Sequence, residues 1–400
     1  LQDKGLTGII SAAMFRTGKP TEIARLAREV VHGLPAPTAD KLELAYDGVN
    51  YYEIHGTYKA PNFQSGTSPF MYVKDGGAIK TDASGKPIVA FTETMRFALS
   101  VPKKGKMPTA GWPVVLYAHG TGGSYRTFIT NFTAEKLADI KDATGHDLAQ
   151  IAVVGIDQNM HGPRGGGISA PQLTFFNFQN PAASVHNVVQ AGIDNFALLR
   201  MILGIQTESV PWGPGLGKTG NVSFAPSLRF DADRVYFMGH SQGGLTGPAF
   251  LAHEPGVQAA VLSGAGGGAM LSLLHKEKPV DIGYSLELAV GEALDEFHPL
   301  LNLVQQMTEQ ADGINYGRLF FRQALPRIPP KHILLTQGIR DGYTPNVTTD
   351  VRALSVGVPL VGPTARKVPL LNLRGPKPTV APLAGNIVAG ATKVTGALLQ

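Results

Sequence analysis

The sequence predicts an α/β fold with a mostly parallel sheet that is covered by helices on both faces. From residue 113 onward, short apolar segments alternate with segments of helical period. Continuous apolar strands of this kind are typical of parallel sheets that are buried on both sides. The apolar content of 43% and the charged content of 16% indicate a globular chain and exclude disorder, and 400 residues are long enough to bury a large core.

Five buried strands and four intervening helices account for this alternation. The predicted strands are 114–118, 151–156, 235–238, 257–262 and 332–336. The predicted helices are 131–142, 182–204, 243–253 and 345–355. The apolar segment 267–328 is too long for a simple crossover between two strands, so we expect it to form a helical cap over the strand ends.

The chain divides into a first part, residues 1–112, and a main domain, residues 113–400. Residues 21–31 carry apolar side chains at helical spacing, which predicts a helix. Residues 49–54 and 90–101 favour strands, and turn residues separate such runs. The first part is therefore predicted to be a helical and β-rich extension packed on the core.

Composition also restricts the classes of function. The 35 basic and 30 acidic residues give a formal net charge of +5 with scattered basic residues, which argues against nucleic-acid binding. No apolar run approaches the roughly 18 residues of a membrane span, so no transmembrane segment is predicted. Cysteine is absent, which excludes disulfides and thiolate chemistry. Together with the high glycine and proline content, this favours an exported bacterial protein (periplasmic, in the cell envelope or extracellular), with a cytoplasmic location left open.

The strongest chemical signal is a G-x-S-x-G motif, Gly239 to Gly243, with Ser241 at its centre. The motif lies between a predicted strand and a predicted helix, which is the context that a nucleophile elbow requires. A turn this tight leaves no room for side chains beside the serine, hence the glycines. It also lifts the hydroxyl clear of the sheet, at a helix N-terminus whose dipole favours negative charge. Ser241 is therefore the candidate nucleophile, and His240 is expected to pack under the elbow.

A second signal follows the strand at 114–118, in the run from His119 through Gly120 and Thr121 to Gly123. Acyl transfer develops an oxyanion, and backbone N–H groups directed at it lower the barrier. Glycines let the backbone curl so that its N–H groups point inward. The predicted donors are the amides of Thr121 and Gln242, and His119 is expected to hold the loop by hydrogen bonds.

A third signal is Asp341, which lies in a glycine-containing loop after the strand at 332–336. An acidic residue there can orient a histidine and stabilise its imidazolium form. The order serine and then aspartate is the one found in folds with a nucleophile elbow. Asp295 and Asp350 are weaker candidates because both lie on predicted helices.

These three segments resemble the α/β-hydrolase superfamily, specifically bacterial esterase- and lipase-like serine hydrolases with a β-rich N-terminal extension. The resemblance covers about residues 113–356. It implies the α/β-hydrolase fold, serine chemistry and a preference for carboxylic esters. A small-molecule or lipid ester is the implied substrate. A peptidase, a thioesterase and a polyester depolymerase of the same fold stay open as alternatives.

The chain departs from the family pattern at the general base, which in the family follows the final strand. None of the eleven histidines follows Asp341. We expect that residues 391–400 form the final strand and that the sequence stops before the catalytic histidine. Two alternatives stay open: His161 or His298 serves as the base, or the chain is a catalytically silent scaffold that binds a ligand or partner.

Two further glycine-rich segments are set aside as nucleotide-binding motifs. The run 213–219 has its glycines one residue too close for a P-loop. The run 264–269 matches a dinucleotide fingerprint, but it lies late in the sheet without a second mononucleotide-binding half. No metal-binding motif is present, so neither a metal nor a cofactor is predicted. The aromatic stretch 173–178 is either an acyl-pocket lining or a loop anchored in the core.

Overall fold

The computed structural model describes residues 18–168, 170–374 and 377–400. Its strands are β1 Asp40–Asp47, β2 Tyr51–Asn62, β3 Gln64–Gly66, β4 Gly76–Ile79, β5 Phe91–Pro102, β6 Trp112–Ala118, β7 Ile140–Lys141, β8 Asp147–Ala149, β9 Ala152–Ile156, β10 Thr207–Pro211, β11 Asn221–Leu228, β12 Phe230–His240, β13 Val257–Ser263, β14 His332–Thr336, β15 Val361–Gly362, β16 Thr379–Val380, β17 Ile387–Ala389, β18 Thr392–Val394 and β19 Gly396–Leu399.

The helices lie mainly between the strands of the second part of the chain. They are α1 Glu22–Gly33, α2 Thr127–Thr130, α3 Thr133–Ala138, α4 Pro171–Phe175, α5 Pro181–Leu203, α6 Gln242–His253, α7 Ala269–His275, α8 Ile282–Val290, α9 Pro299–Thr308, α10 Ile314–Gly317 and α11 Asn346–Val356.

Within the described residues, one large sheet organises the molecule. Its strand order is β1-β2-β5-β9-β6-β12-β13-β14-β19. Neighbouring strands are parallel from β9 to β19 and antiparallel from β1 to β9. The mostly parallel sheet that the sequence predicts is therefore confirmed, with an antiparallel edge that comes from residues 40–102.

Helices cover both faces of this sheet, as predicted. On one face, side chains of α1, α5 and α6 join the largest apolar cluster with those of the central strands. On the other face, α2 and α3 place Phe128, Ala134 and Ala138 against Val115 and Val153. Alternation along the strands produces these two faces, because successive side chains point to opposite sides of a sheet.

The first part of the chain extends the sheet itself. β2 pairs with β5 along its whole length, and β5 pairs with β9 of the main domain. Helix α1 lies where residues 21–31 predict a helix, and residues 1–17 lie outside the described part. The predicted strands at 49–54 and 90–101 are thus edge strands of the central sheet.

Two predicted elements are divided in the structure, and the predicted strands 49–54 and 235–238 correspond to the longer strands β2 and β12. The predicted helix 131–142 is instead a pair of short helices, α2 and α3, followed by β7. The break falls at Phe132, whose φ of 64° is incompatible with a continuous helix. The predicted strand 391–400 is divided into β18 and β19, and β19 pairs in parallel with β14 at the edge of the sheet.

The segment 267–328 is mainly helical, as its apolar pattern predicts. It contains α7 to α10 and connects β13 to β14. Several of its large apolar side chains are exposed, including Phe297, Leu288 and Tyr284. In the described part of the chain, no helix combines the length and apolar character needed to cross a membrane.

A buried ion cluster fixes the loop that follows β9. Arg164 Nη1 donates to Asp194 Oδ2 at 2.7 Å, and Arg164 Nε donates to Glu93 Oε1 at 3.0 Å. Burial raises the pKa of Asp194, and the two carboxylates hold the pKa of Arg164 above its usual value despite burial. The cluster therefore depends on a single guanidinium group between two carboxylates in a water-poor environment.

We predict that Arg164→Met lowers the free energy of unfolding by about 3–5 kcal/mol, because it leaves buried carboxylates without a counter-ion. Urea denaturation followed by circular dichroism measures the change. Arg25→Met is the matched control, since Arg25 pairs with Glu22 and Glu29 on the exposed side of α1 and such pairs contribute less than about 1 kcal/mol. An equal loss of unfolding free energy in the two variants would contradict the stabilising role of the buried Arg164 cluster.

Candidate active site

Parallel strands bring three predicted site segments to one edge of the sheet. β6, β12, β13 and β14 are neighbours, and the chain leaves each of them at its carboxyl end. Ser241 N donates to Ser263 O at 2.8 Å, which joins the turn after β12 to the end of β13. A Cβ on Gly120 would lie 3.3 Å from Ser241 Cβ, so the loop after β6 also adjoins the serine.

Ser241 occupies a strained turn between β12 and α6. Its φ of 50° and ψ of −114° are costly for a residue with a side chain, typically by about 1–3 kcal/mol. The flanking glycines make the turn possible, because a Cβ on Gly239 would lie 2.5 Å from Gly243 O and a Cβ on Gly243 would lie 2.0 Å from Ala118 O. This strained turn between a strand and a helix, which we call the elbow, has the backbone geometry that the G-x-S-x-G motif predicts.

Two backbone amides beside the serine are free to donate. Among the described residues, no acceptor is bonded to the amide of Thr121 or of Gln242. Gln242 is the first residue of α6, where helix geometry leaves the N–H groups without partners. Thr121 Oγ1 donates to Gln242 Oε1 at 2.8 Å, which ties the loop after β6 to the elbow. The two predicted oxyanion donors thus lie on segments that are directly bonded to each other.

Hydrogen bonds of the His119 ring and backbone connect this loop to the residues after β9. Its Nδ1 donates to Gly120 O at 2.8 Å, and its Nε2 accepts from Gln158 N at 3.0 Å. Gln158 also bonds the carbonyl oxygen of His119 and accepts from Thr246 Oγ1 at 2.8 Å. Burial and the neighbouring His161 lower the pKa of His119 to about 4, so its ring stays neutral near pH 7.

His161 also supports the loop, with both ring nitrogens engaged. Its Nδ1 donates to Asn159 O at 2.9 Å, and its Nε2 accepts from Gly122 N at 3.1 Å. The ring packs edge-on against His119 and Phe175, with centroid distances of 4.9 and 6.1 Å. Burial lowers the pKa of His161. This geometry gives His161 a supporting role and leaves no free nitrogen for a general base.

Asp341 lies at the same edge, in the loop after β14. Its Oδ1 accepts from the amides of Tyr343 and Thr344 at 2.9 and 3.0 Å. Its Oδ2 lies 3.9 Å from where a Cβ on Gly264 would be, immediately after β13. No donor among the described residues reaches Oδ2. One carboxylate oxygen is therefore fixed and the other is open to a partner.

The other acidic and basic candidates are engaged elsewhere. Asp350 is buried and bonded to Arg366 and Gln337, and Asp295 caps a turn in the segment 267–328. His298 bonds Glu292 through Nε2 and the amide of Leu300 through Nδ1. In residues 18–168, 170–374 and 377–400, no hydrogen bond or ion pair joins a histidine to Ser241 or Asp341.

His240 is exposed, so the expectation that it packs under the elbow is wrong. Strand alternation places it on the face of β12 that α2 and α3 cover only in part. There it lines a cavity of about 220 Å³ together with Tyr117, Asn131 and Ser263. The buried positions of the elbow are taken instead by Gly239 and Gln242.

Gln158 and Lys276 contact the site segments but were not selected in the sequence analysis. Gln158 is the second residue after β9, where a run of polar residues follows a buried strand. That pattern gives a weak signal, of the same kind as the one that selected Asp341. Lys276 directly follows α7, and its Nζ donates to Tyr343 O at 2.7 Å. Nothing in its local sequence distinguishes it from a surface lysine.

The chain has the α/β-hydrolase fold, as shown by the strand order, the elbow after β12 and the loop with Asp341 after β14. The prediction of fold class is therefore confirmed. No protein-family model matches the chain, and no curated protein matches it.

Several solved structures are similar to the chain. An acetyl xylan esterase from Paenibacillus sp. R4 is 15% identical, with 94% of this chain and 92% of that chain covered and a TM-score of 0.49. Acetyl xylan esterase 1 from Thermoanaerobacterium sp. JW/SL YS485 is 14% identical, with 93% and 89% covered and a TM-score of 0.47. A CE15 glucuronoyl esterase from Teredinibacter turnerae T7901 is 13% identical, with 92% and 74% covered and a TM-score of 0.40.

We predict that the free energy of unfolding falls as the pH drops from 6.5 towards 4. His119 and His253 are buried and neutral, each with its pKa lowered to about 4 from 6.5, so the unfolded chain binds more protons in this range. Each contributes up to about 3 kcal/mol that is present above pH 6.5 and lost on acidification. Urea denaturation at pH 7, 5.5 and 4.5 measures the fall.

His253→Phe should make this fall smaller without touching the loop after β6. His146→Phe is the control, since His146 is exposed and should leave the fall unchanged. A fall of the same size in His253→Phe and in the unmodified protein would contradict the prediction.

Proposed function

We propose that the protein is a serine hydrolase that cleaves carboxylic esters, with Ser241 as its nucleophile. The observation that carries the proposal is the strained elbow of Ser241 beside two unpaired amides, those of Thr121 and Gln242. Backbone strain at a serine that adjoins free donors suits acyl transfer, because the donors can bind the oxyanion of a tetrahedral intermediate.

The proposed reaction has two steps. Ser241 Oγ attacks the ester carbonyl carbon, its proton passes to a general base, and the amides of Thr121 and Gln242 stabilise the oxyanion. The carbon–oxygen bond to the alcohol breaks, and the alcohol leaves with that proton. Water then attacks the acyl carbon while the same base accepts its proton. The bond from that carbon to Ser241 Oγ breaks, the base returns the proton to Oγ, and the acid is released.

Asp341 is proposed to orient the base. Its Oδ1 is held by two amides, which leaves Oδ2 to accept a hydrogen bond from an imidazole N–H. The engaged nitrogens of His161 and His298 argue against either as this base. β19 lies beside β14, and Gln337 N donates to Leu399 O at 2.8 Å. We propose that the imidazole approaches Asp341 Oδ2 at this edge of the sheet, where the parallel strands β14 and β19 both end.

The choice of esters over other acyl substrates is also a proposal. The segment 267–328 presents exposed apolar side chains, which favour a substrate with a hydrophobic acyl or alcohol group, including a lipid ester. A panel of p-nitrophenyl esters, a thioester, an acyl-peptide and a polyester film separates this reading from a thioesterase, a peptidase or a polyester depolymerase. Bacterial origin and export remain predictions from composition.

The test compares p-nitrophenyl acetate hydrolysis by the protein, Ser241→Ala and Asp341→Asn, with and without added imidazole. We expect hydrolysis that depends on Ser241 and falls by about 10²-fold or more in the alanine variant. Imidazole supplies a general base, so it should raise the rate of the unmodified protein if these 400 residues provide none. The rate with Ser241→Ala measures the uncatalysed reaction with imidazole.

Three outcomes are informative. Hydrolysis without imidazole would mean that a histidine inside these residues acts as the base. Hydrolysis only with imidazole, lost in Ser241→Ala, would support the proposed site and place the base outside them. Rates equal to those of Ser241→Ala under both conditions would contradict the proposal and favour a binding scaffold.

A further inference from the structure

The residues that directly follow α7 are hydrogen-bonded to the loop that carries Asp341. The amides of Glu277 and Lys278 both donate to Gly342 O, at 3.1 and 2.9 Å. Lys276 Nζ donates to Tyr343 O at 2.7 Å. Three consecutive residues of the 267–328 segment therefore bind two consecutive carbonyl groups directly after Asp341.

These two carbonyl groups lie in the same peptide units as the two amides that orient the Asp341 carboxylate. The amide of Tyr343 donates to Asp341 Oδ1, while the carbonyl of Tyr343 accepts from Lys276. The amide of Thr344, in the same peptide unit as that carbonyl, donates to Oδ1 as well. The Tyr343–Thr344 peptide unit is thus held by Lys276 on one side and holds Asp341 on the other.

The lysine also interacts with Asp341 through its charge. Burial lowers the pKa of Lys276, and the nearby carboxylate of Asp341 opposes that effect. An interaction between partly buried charges is stronger than the same interaction in water, because the local dielectric constant is lower. Hydrogen bonding and charge therefore act on Asp341 from the same side chain.

The part of the loop before Asp341 is held by Asn346, the first residue of α11. Asn346 Oδ1 accepts from the amide of Arg340 at 2.9 Å, and Asn346 Nδ2 donates to Gly338 O at 2.6 Å. These bonds hold the loop before Asp341. The half after Asp341 is held by Lys276 and the two neighbouring amides.

We propose that Lys276 is a positioning residue, which fixes the Tyr343–Thr344 peptide and so orients Asp341 towards the base. This inference rests on the proposed function, because it assigns Lys276 to the same reaction. Lys276 does not contact the reacting atoms in this account. Its effect passes through the loop to the carboxylate.

The test compares Lys276→Met with Lys276→Arg, using Lys278→Met as the matched control. Methionine keeps most of the stem but removes the donor and the charge, whereas arginine keeps both. Lys278 lies two residues after Lys276, and the aliphatic part of its side chain packs on Gly342. Among the described residues, no acceptor is hydrogen-bonded to Lys278 Nζ. Lys278→Met therefore removes an equal charge beside the same loop.

Two readouts are measured on the full chain. The first is hydrogen–deuterium exchange of the Tyr343 and Thr344 amides, which does not require activity. The second is kcat and KM for p-nitrophenyl acetate, with imidazole present if the protein alone shows no turnover. For Lys276→Met we expect about tenfold faster exchange at both amides and about tenfold lower kcat with KM nearly unchanged. Lys276→Arg should recover most of both effects.

The outcomes separate this inference from the proposed function. Unchanged exchange and kcat in Lys276→Met, or equal effects in Lys278→Met, would overturn the role of Lys276 while activity still depends on Ser241. Activity that persists in Ser241→Ala would instead overturn the proposed function. Faster exchange in Lys276→Met would then still show that the lysine fixes the loop.

Discussion

The site depends on how closely the elbow approaches the neighbouring strand β6. A Cβ on Gly243 would lie 2.0 Å from Ala118 O, so α6 begins in direct contact with the end of β6. This close approach brings the first turn of α6 and the loop after β6 together, and the bond from Thr121 Oγ1 to Gln242 Oε1 follows from it. The free amides lie on these two segments. A side chain at position 243 would separate them, so the proposed oxyanion site exists only with glycine there.

A polar layer beneath the loop maintains this arrangement. His119, Gln158 and Thr246 connect the ends of β6 and β9 to the side of α6. His119 and the adjacent His161 each use one ring nitrogen as donor and the other as acceptor. The strain at Ser241 can persist because surrounding segments determine its position through several independent bonds. These two histidines therefore support the loop after β6, and neither of them forms a hydrogen bond with Ser241.

The sequence predicted the features that depend on local backbone geometry. The glycines around Ser241 predicted the elbow, and the glycines after His119 predicted the loop with free amides. Position after a strand selected Asp341, because parallel strands end at one edge of a sheet. The mostly parallel sheet was predictable from apolar segments alternating with helices. The extension of the same sheet by residues 40–102 was not predicted, because the sequence of a single strand does not indicate which distant strand it pairs with.

Features that depend on long-range packing were not predictable in this way. Lys276 lies 67 residues from its acceptor Tyr343, and Gln158 lies 39 residues from His119. Neither has a local pattern that distinguishes it from an ordinary polar residue. The break at Phe132 and the exposure of His240 were missed for a related reason. Each is decided by which helices cover the far face of the sheet, and the helical period of residues 131–142 contains no information about that cover.

The most direct measurement of the central claim is the location of a covalent fluorophosphonate adduct by peptide mapping and mass spectrometry. The protein is treated with the probe, with and without imidazole as an external base, and then digested. The account predicts a single modified site, Ser241, on the peptide that contains the elbow, with modification lost after denaturation. An adduct on a different residue, or no adduct on Ser241 under either condition, would contradict the assignment of this serine as the nucleophile.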